Sequence, residues 1–408
     1  MKIRLIAMAL IAAPGLFAQG GDQDVRRELD ELRKEIAELR QGGAQSSEDA
    51  PDKGVDRLLS DKAGETTVGG YGELHYNSPQ GAVDTLDFHR FIFHITHRFD
   101  ERLSFASEIE LEHAFVKGGN GELELEQAHL TYRLLDNLDV RAGVLLLPMG
   151  YVNRYHEPPT FYSVERPEFS KNIVPTTWFE SGISFGWTPT PDVRLEAGVF
   201  GPLDATKFKA GDGVRSGRQK AFETKVNEPA YSGRLEYLGF QDLHLAGAFY
   251  IGNSNQTDAS FGSARVTGVS GELVSFGQAY GLPENEVRIE AAMFTIDGNE
   301  DISTALGASI PGRFWGFYIE DAYQIYGDPG MKEKNALFLF ARFEYLRNQS
   351  DMNGVVADPT KNREKIVFGA AFRPHPRVVF KMDYEWIDDR SGTIDPPDQW
   401  NLGIGYMF

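Results

Sequence analysis

Arg90, His94 and Arg98 recur every four residues among the apolar Phe91, Phe93 and Ile95, and two alternating acidic sets follow: Glu108, Glu110, Glu112 and Glu122, Glu124, Glu126. Alternation with a period of two puts each set on one face of a β-strand. Such groups do electrostatic work. A basic strip beside an acidic wall creates a transverse field that orients dipolar solutes and sorts ions by sign. The same residues also read as mutual neutralisation that merely keeps a polar surface wet. Bond-making chemistry has little support: the chain has no cysteine, hence no thiol nucleophile, disulfide or Cys-based zinc site, and no G-x-S-x-G elbow. No enzyme and no cofactor is expected. His89, His94 and His97 do not make a metal set, because parity sends His94 with the arginines and His89 and His97 with the phenylalanines.

The elements that must carry these residues are strands throughout. Residues 378–386 put Phe380, Met382, Tyr384 and Trp386 on one face and Lys381, Asp383 and Glu385 on the other. Arg194 with Glu196, Arg234 with Glu236, Arg288 with Glu290 and Arg342 with Glu344 repeat the pattern, and Arg141 falls in a further strand. A soluble sandwich alternates in the same way, so strand count and loop lengths decide. Strands are expected near 67–76, 86–98, 102–116, 121–134, 138–146, 178–188, 191–200, 230–238, 242–251, 262–275, 286–296, 312–326, 335–347, 363–373, 377–387 and 399–408. The connections at 100–102, 136–137, 188–191, 239–241 and 374–376 are tight, whereas 147–177 and 201–229 are long. Short turns at one end and long loops at the other are the build of an outer-membrane barrel.

The fold class expected is therefore all-β, a sixteen-stranded antiparallel transmembrane β-barrel over residues 67–408. In lipid the sheet must close, and at this strand number the lumen is too wide for side chains to fill and should hold water. Tyr71, Tyr132, Trp178, Trp187, Tyr250, Tyr326 and Trp400 lie near strand ends and suit interfacial girdles. The long loop carries Arg154, His156, Glu157, Glu165, Arg166 and Lys171 among Tyr151, Tyr155, Phe161 and Tyr162. It is expected to fold into the lumen and narrow it; an external cap is the alternative.

Residues 1–18 read as a secretory signal peptide: Lys2 and Arg4, the apolar run Leu5–Ala13, the Pro14-Gly15 break and a cut after Ala18. Over residues 22–41, Val25, Leu29, Leu32, Ile36 and Leu39 form a heptad seam, and Glu28 with Arg33 and Glu35 with Arg40 favour a parallel self-associating coiled coil. Residues 42–66 are a polar linker. The net charge of −19, of which residues 67–408 carry −16, excludes a basic nucleic-acid binder.

Several stretches resemble the phosphate-selective porin O/P family in its broad sense: Gly69-Gly-Tyr-Gly-Glu-Leu74, Arg141-Ala-Gly-Val-Leu-Leu-Leu-Pro-Met-Gly150, His156-Glu-Pro-Pro-Thr-Phe-Tyr-Ser-Val-Glu-Arg-Pro167, Pro175-Thr-Thr-Trp178, Ala341-Arg-Phe-Glu-Tyr345 and Gly403-Ile-Gly-Tyr-Met-Phe408. The resemblance spans residues 67–408 and implies a trimer in the Gram-negative outer membrane with an inward third loop, here 147–177. It also implies a water-filled channel for passive diffusion of small hydrophilic or charged solutes, phosphate and organic anions among the candidates. A periplasmic place for the coil accompanies this reading. Phosphate-selective members carry a dense ladder of arginines and lysines, whereas the strand arginines here are mostly matched by glutamates. Phosphate selectivity is therefore not carried over on the family's name. The alternative function is a non-conducting adhesin or structural anchor barrel.

Overall fold

Along Val378–Asp388, Phe380, Met382 and Trp386 stand 42–48% exposed, whereas Lys381, Asp383 and Glu385 between them are 1–5% exposed. A sheet with its charges hidden and its hydrophobic side chains outside has no stable open form in lipid, because its edge amides would lack partners. It closes. The structure, a computed structural model, describes residues 58–117, 121–256, 258–277, 285–327, 335–389, 391–392 and 396–408. The signal peptide, the coiled coil at 22–41 and the linker up to residue 57 lie outside the described residues.

The first strands are β1 (Thr66–Pro79), β2 (Thr85–Arg98), β3 (Leu103–Glu112), β4 (Leu123–Leu135) and β5 (Leu138–Leu146). After the long loop come β6 (Phe179–Thr190), β7 (Val193–Phe200), β8 (Ala230–Phe240), β9 (Leu243–Asn253) and β10 (Arg265–Phe276). The wall is completed by β11 (Asn285–Ile296), β12 (Arg313–Tyr326), β13 (Ala336–Asp351), β14 (Arg363–His375), β15 (Val378–Asp388) and β16 (Gln399–Met407). Each strand pairs antiparallel with its sequence neighbours, and β16 returns to β1, giving a closed sixteen-stranded barrel. Gly70 and Phe408 exchange backbone hydrogen bonds of 3.1 and 2.9 Å at the seam. Short turns such as 136–137, 191–192 and 241–242 alternate with longer loops, and sixteen strands fall close to their expected bounds.

Four expectations need correction. First, β3 ends at Glu112, not at 116. Second, His89 does not face outward: a bulge opposite Glu73 and Leu74 inserts one extra residue in β2, and the His89 ring stacks on the buried His75 at 4.6 Å. Third, Tyr71, Trp178 and Tyr250 are buried and belong to the interior, whereas Tyr132, Trp187, Tyr326 and Trp400 are exposed as a girdle requires. Fourth, the last residues of the expected linker are packed on the barrel wall. The Leu58 carbonyl accepts from Thr96 Oγ1 at 3.1 Å and Gly64 N–H donates to the Arg98 carbonyl at 2.6 Å, so 58–65 lie along β2.

The lumen is also far from a plain water-filled tube. Phe169, Ile173 and Trp178 from one long loop pack with Phe208 and Val214 from another against Phe294, Phe314 and Tyr318 of the wall. Apolar loop residues inside the barrel thus form a core, stabilised by burial at about 25 cal/mol per Å2. Gly143 shows how closely the wall itself is built: its φ is +141°, and a Cβ there would lie 2.2 Å from the Ala128 carbonyl oxygen. Gly143→Ala is expected to cost more than about 1 kcal/mol, read as a lower urea midpoint for unfolding from detergent or vesicles.

Candidate functional site

Inward charges form a ladder around the barrel. On β2, Arg90 reaches Glu73 at 2.6 Å and Glu110 at 3.3 Å, and His94 meets the opposite Glu108 at 3.1 Å. Arg98 lies lower and donates to the Ser60 carbonyl. On the far side, Arg234 makes a two-pronged contact to Glu272, 2.6 Å on each prong, and a third bond to Glu236 at 2.7 Å. It spans β9 because Ala246 and Ala248 there leave room. Arg342 joins Glu344 at 2.9 Å and Glu320 at 3.1 Å. Lys365 meets Glu385 at 2.7 Å. Opposed charges on neighbouring strands contribute about 0.2–1 kcal/mol each at exposed positions and become costly to break once buried.

Two strand arginines take partners other than the glutamate two residues along. Arg288 binds Glu286 at 2.5 Å, with Glu320 at 3.7 Å, and leaves Glu290 to accept the Tyr151 amide at 3.2 Å. Arg194 reaches Glu236 at 3.9 Å, while Glu196 is taken by Arg154 at 2.8 Å. Arg141 lies 3.4 Å from Asp139. Glu112 is half-buried, and Glu122, exposed at the loop end, binds Lys220 at 2.8 Å together with Glu124. Glu126 and Gln127 are both buried, since a bulge between β3 and β4 falls there and turns both inward.

The loop from 147 to 178 is tied to this wall on all sides. His156 Nε2 lies 3.1 Å from Glu108 on β3, and the Tyr151 amide donates to Glu290 on β11. Those strands are eight apart in a ring of sixteen, so a segment touching both crosses the lumen. Further along, Tyr162 OH donates to Glu286 at 2.8 Å, the Val164 amide to Asp383 at 2.6 Å and the Phe169 amide to Glu344 at 2.8 Å. Lys381 Nζ donates to the Ser163 carbonyl at 2.9 Å while sitting 3.5 Å from the Phe161 ring centroid, and Glu165 binds His75 and Asn77, each at 3.0 Å. Burial works against ionisation of Glu165, but the His75 bond overcomes it and the pKa is lowered. Glu157 is buried, Arg166 donates to the His156 carbonyl at 2.7 Å, and Lys171 is exposed.

A second loop, 201–229, closes over the first. Arg218 donates to the Thr176 and Thr177 carbonyls at 3.0 and 2.7 Å, and burial pushes its pKa down to about 10. Toward the short-turn end, Asp139, Arg141, Arg154, Arg194, Glu196 and Glu236 share a small polar cavity. Glu73, His75, Glu272, Glu286, Glu320 and Lys365 face inward as well, beyond the residues that the sequence singles out. Their alternation with apolar neighbours, as in Tyr71-Gly-Glu-Leu-His-Tyr76, was the available signal. Arg218 and Lys220 come from a loop without periodicity and gave none.

An apolar exterior, a charged interior and a loop strapped across the lumen define an outer-membrane barrel of the channel type. The profile of the phosphate-selective porin O and P family matches residues 69–267. An uncharacterized protein of Aquifex aeolicus is 32% identical over 359 residues, 84% of this chain and 80% of that one. Among solved structures, Salmonella typhi OmpF superposes with a TM-score of 0.58 at 12% identity over 85% of this chain and 98% of that chain. The DcaP channel of Acinetobacter baumannii gives 0.56 at 13% over 86% and 99%, and the trimer form of Vibrio cholerae OmpT 0.54 at 10% over 85% and 100%. These structures share the fold. The chain belongs to the phosphate-selective porin O and P family, and it is an outer-membrane channel for small solutes.

Proposed function

We propose that the channel passes small charged solutes with a preference for anions, phosphate or organic anions among them, and that the loop 147–178 is its constriction. The small cavity beneath that loop carries the reading: Arg141, Arg154, Arg194 and Arg234 line it against Asp139, Glu196 and Glu236, with Arg234 also held by Glu272 behind it, so guanidinium groups gather there in a chain that is acidic as a whole. The inward residues Arg90, His94, Glu108, Glu110, Glu124, Glu126, Arg288, Glu290, Arg342, Glu344, Lys381, Asp383 and Glu385 are then the supporting wall, which holds the loop in place. Purified protein in a planar bilayer under a potassium chloride gradient is expected to open in three steps with anion preference, and Arg194→Gln to move the reversal potential toward cations. Cation preference in the native channel would overturn the anion assignment. A barrel that never conducts would favour the anchor or adhesin reading.

The assembly in this reading is a homotrimer whose N-terminal residues 22–41 form a parallel coil in the periplasm, joined to the barrel by the linker from 42 and freed by signal cleavage after Ala18. The heptad seam supports it, although a coil this short is marginal alone and needs the barrel contacts. Removing residues 22–41 is expected to lower the melting temperature of the trimer in detergent while the barrel still folds. An unchanged trimer melt would assign the segment to another partner.

A further inference from the structure

The bulge in β4 and the His156 turn of the loop bring together a set that anchoring of the loop does not fully explain. Glu126 is 0% exposed, and neither of its carboxylate oxygens receives a hydrogen bond among the described residues. Beside it, His156 Nε2 lies 3.7 Å from Glu126 Oε2 and 3.1 Å from Glu108 Oε1, and the three donor atoms of Glu108, Glu126 and His156 lie within 4.8 Å of one another. His94 Nε2 approaches the same Glu108 oxygen at 3.1 Å, Tyr71 OH donates to it at 3.3 Å, and the Gln127 amide donates to the other Glu108 oxygen. We propose that Glu108, Glu126 and His156, with His94 alongside, bind one divalent first-row transition-metal ion between the barrel wall and the inserted loop.

Three features carry this. Glu126 has only another carboxylate, Glu110, to share a proton with, so burying the cluster is costly, and Arg90, the nearby strand cation, already divides its guanidinium between Glu73 and Glu110. A divalent ion supplies the missing charge and replaces a proton shared between carboxylates. The spacing fits as well. With bonds of about 2.0–2.1 Å, adjacent ligand atoms around a tetrahedral zinc ion are about 3.3 Å apart, a value bracketed by the 3.1 and 3.7 Å seen at His156 Nε2. The third feature is the imidazole tautomer. His156 Nδ1 lies 3.1 Å from the Asn153 carbonyl, an acceptor for a proton on Nδ1; once a metal displaces the Nε2 proton that now serves Glu108, the ring keeps that bond and offers the Nε2 lone pair between the carboxylates, the outer-shell arrangement that metal-bound histidines use. Asn153 is itself fixed: its amide donates to the Leu147 and Met149 carbonyls at 3.0 and 3.1 Å and accepts from the Trp178 amide at 2.7 Å. The mixed nitrogen and oxygen donors favour zinc or manganese over calcium or magnesium, which prefer oxygen alone.

The test uses full-length protein in detergent, stripped with a chelator, dialysed against zinc and then against metal-free buffer, with bound metal counted by mass spectrometry. One equivalent per chain is expected to remain, and Glu126→Gln and His156→Gln each to weaken binding about tenfold or more. The more exposed Asp87, His89 and His113 also lie close together, so Asp87→Asn combined with His113→Gln is the control and is expected to leave binding intact. Retention of no ion by the native protein overturns the proposal, as does an ion lost with the control pair but kept by Glu126→Gln. Cobalt absorption of the native protein makes the test independent of variant folding: intense visible bands from a low-coordinate nitrogen and oxygen site support the site, and the weak bands of hydrated cobalt alone overturn it.

Discussion

Deleting residues 155–170 is expected to raise single-channel conductance severalfold while the barrel still folds and inserts. The segment spans the lumen, with His156 at β3 on one side and Tyr162, Val164 and Phe169 held by Glu286, Asp383 and Glu344 on the other. It contributes no strand to the ring, whose ladder runs unbroken from β1 through β16 and back. Its loss therefore opens cross-section without opening an edge. The wall carboxylates that now accept loop amides would be rehydrated, and hydration offsets most of what those bonds contributed. The apolar core formed with Phe208 and Phe314 would lose Phe169, so lower thermal stability is expected beside the larger conductance. Equal conductance in the native and deleted proteins would place the constriction elsewhere, with the second loop around Arg218 the next segment to remove.

How much of this was readable in the chain depended on whether one residue's parity survived. Along β15 it did: Lys381, Asp383 and Glu385 point inward as alternation requires, and the closing strand ends on Phe408 at the β1 seam. Across β2 and β4 it did not, because a single inserted residue exchanges the two faces of everything beyond it, and the bulges at His89 and Glu126 leave no mark in composition. The aromatic girdle was half legible for a related reason. Trp187 and Trp400 face outward, whereas Trp178 and Tyr250 pack on loop residues inside, and strand propensity is blind to which side of a closed sheet holds the second apolar environment. The inward loop could be expected from its length and mixed charge, but its partners could not, since Glu108 and His156 are 48 residues apart and meet only when the ring closes.

Arg342→Met is expected to destabilise the folded barrel by about 3–5 kcal/mol, the usual cost of removing one member of a buried ionic set. The guanidinium is 0% exposed and holds Glu344 at 2.9 Å, Glu320 at 3.1 Å and the Ser163 hydroxyl at 2.5 Å. Methionine fills much of the same volume, so the loss is electrostatic and not a cavity effect. What remains is a pair of buried carboxylates, with Arg288 3.7 Å from Glu320 as a weaker substitute and the Phe169 amide still serving Glu344. If that is the cause, neutralising the stranded groups should repair it: the triple variant Arg342→Met, Glu320→Gln, Glu344→Gln should regain most of the loss in urea unfolding from lipid vesicles. Failure of the triple variant to recover would shift the role of Arg342 from charge balance to its bond with Ser163. The loop anchor would then be the stabilising element, and Ser163→Ala alone should reproduce the defect.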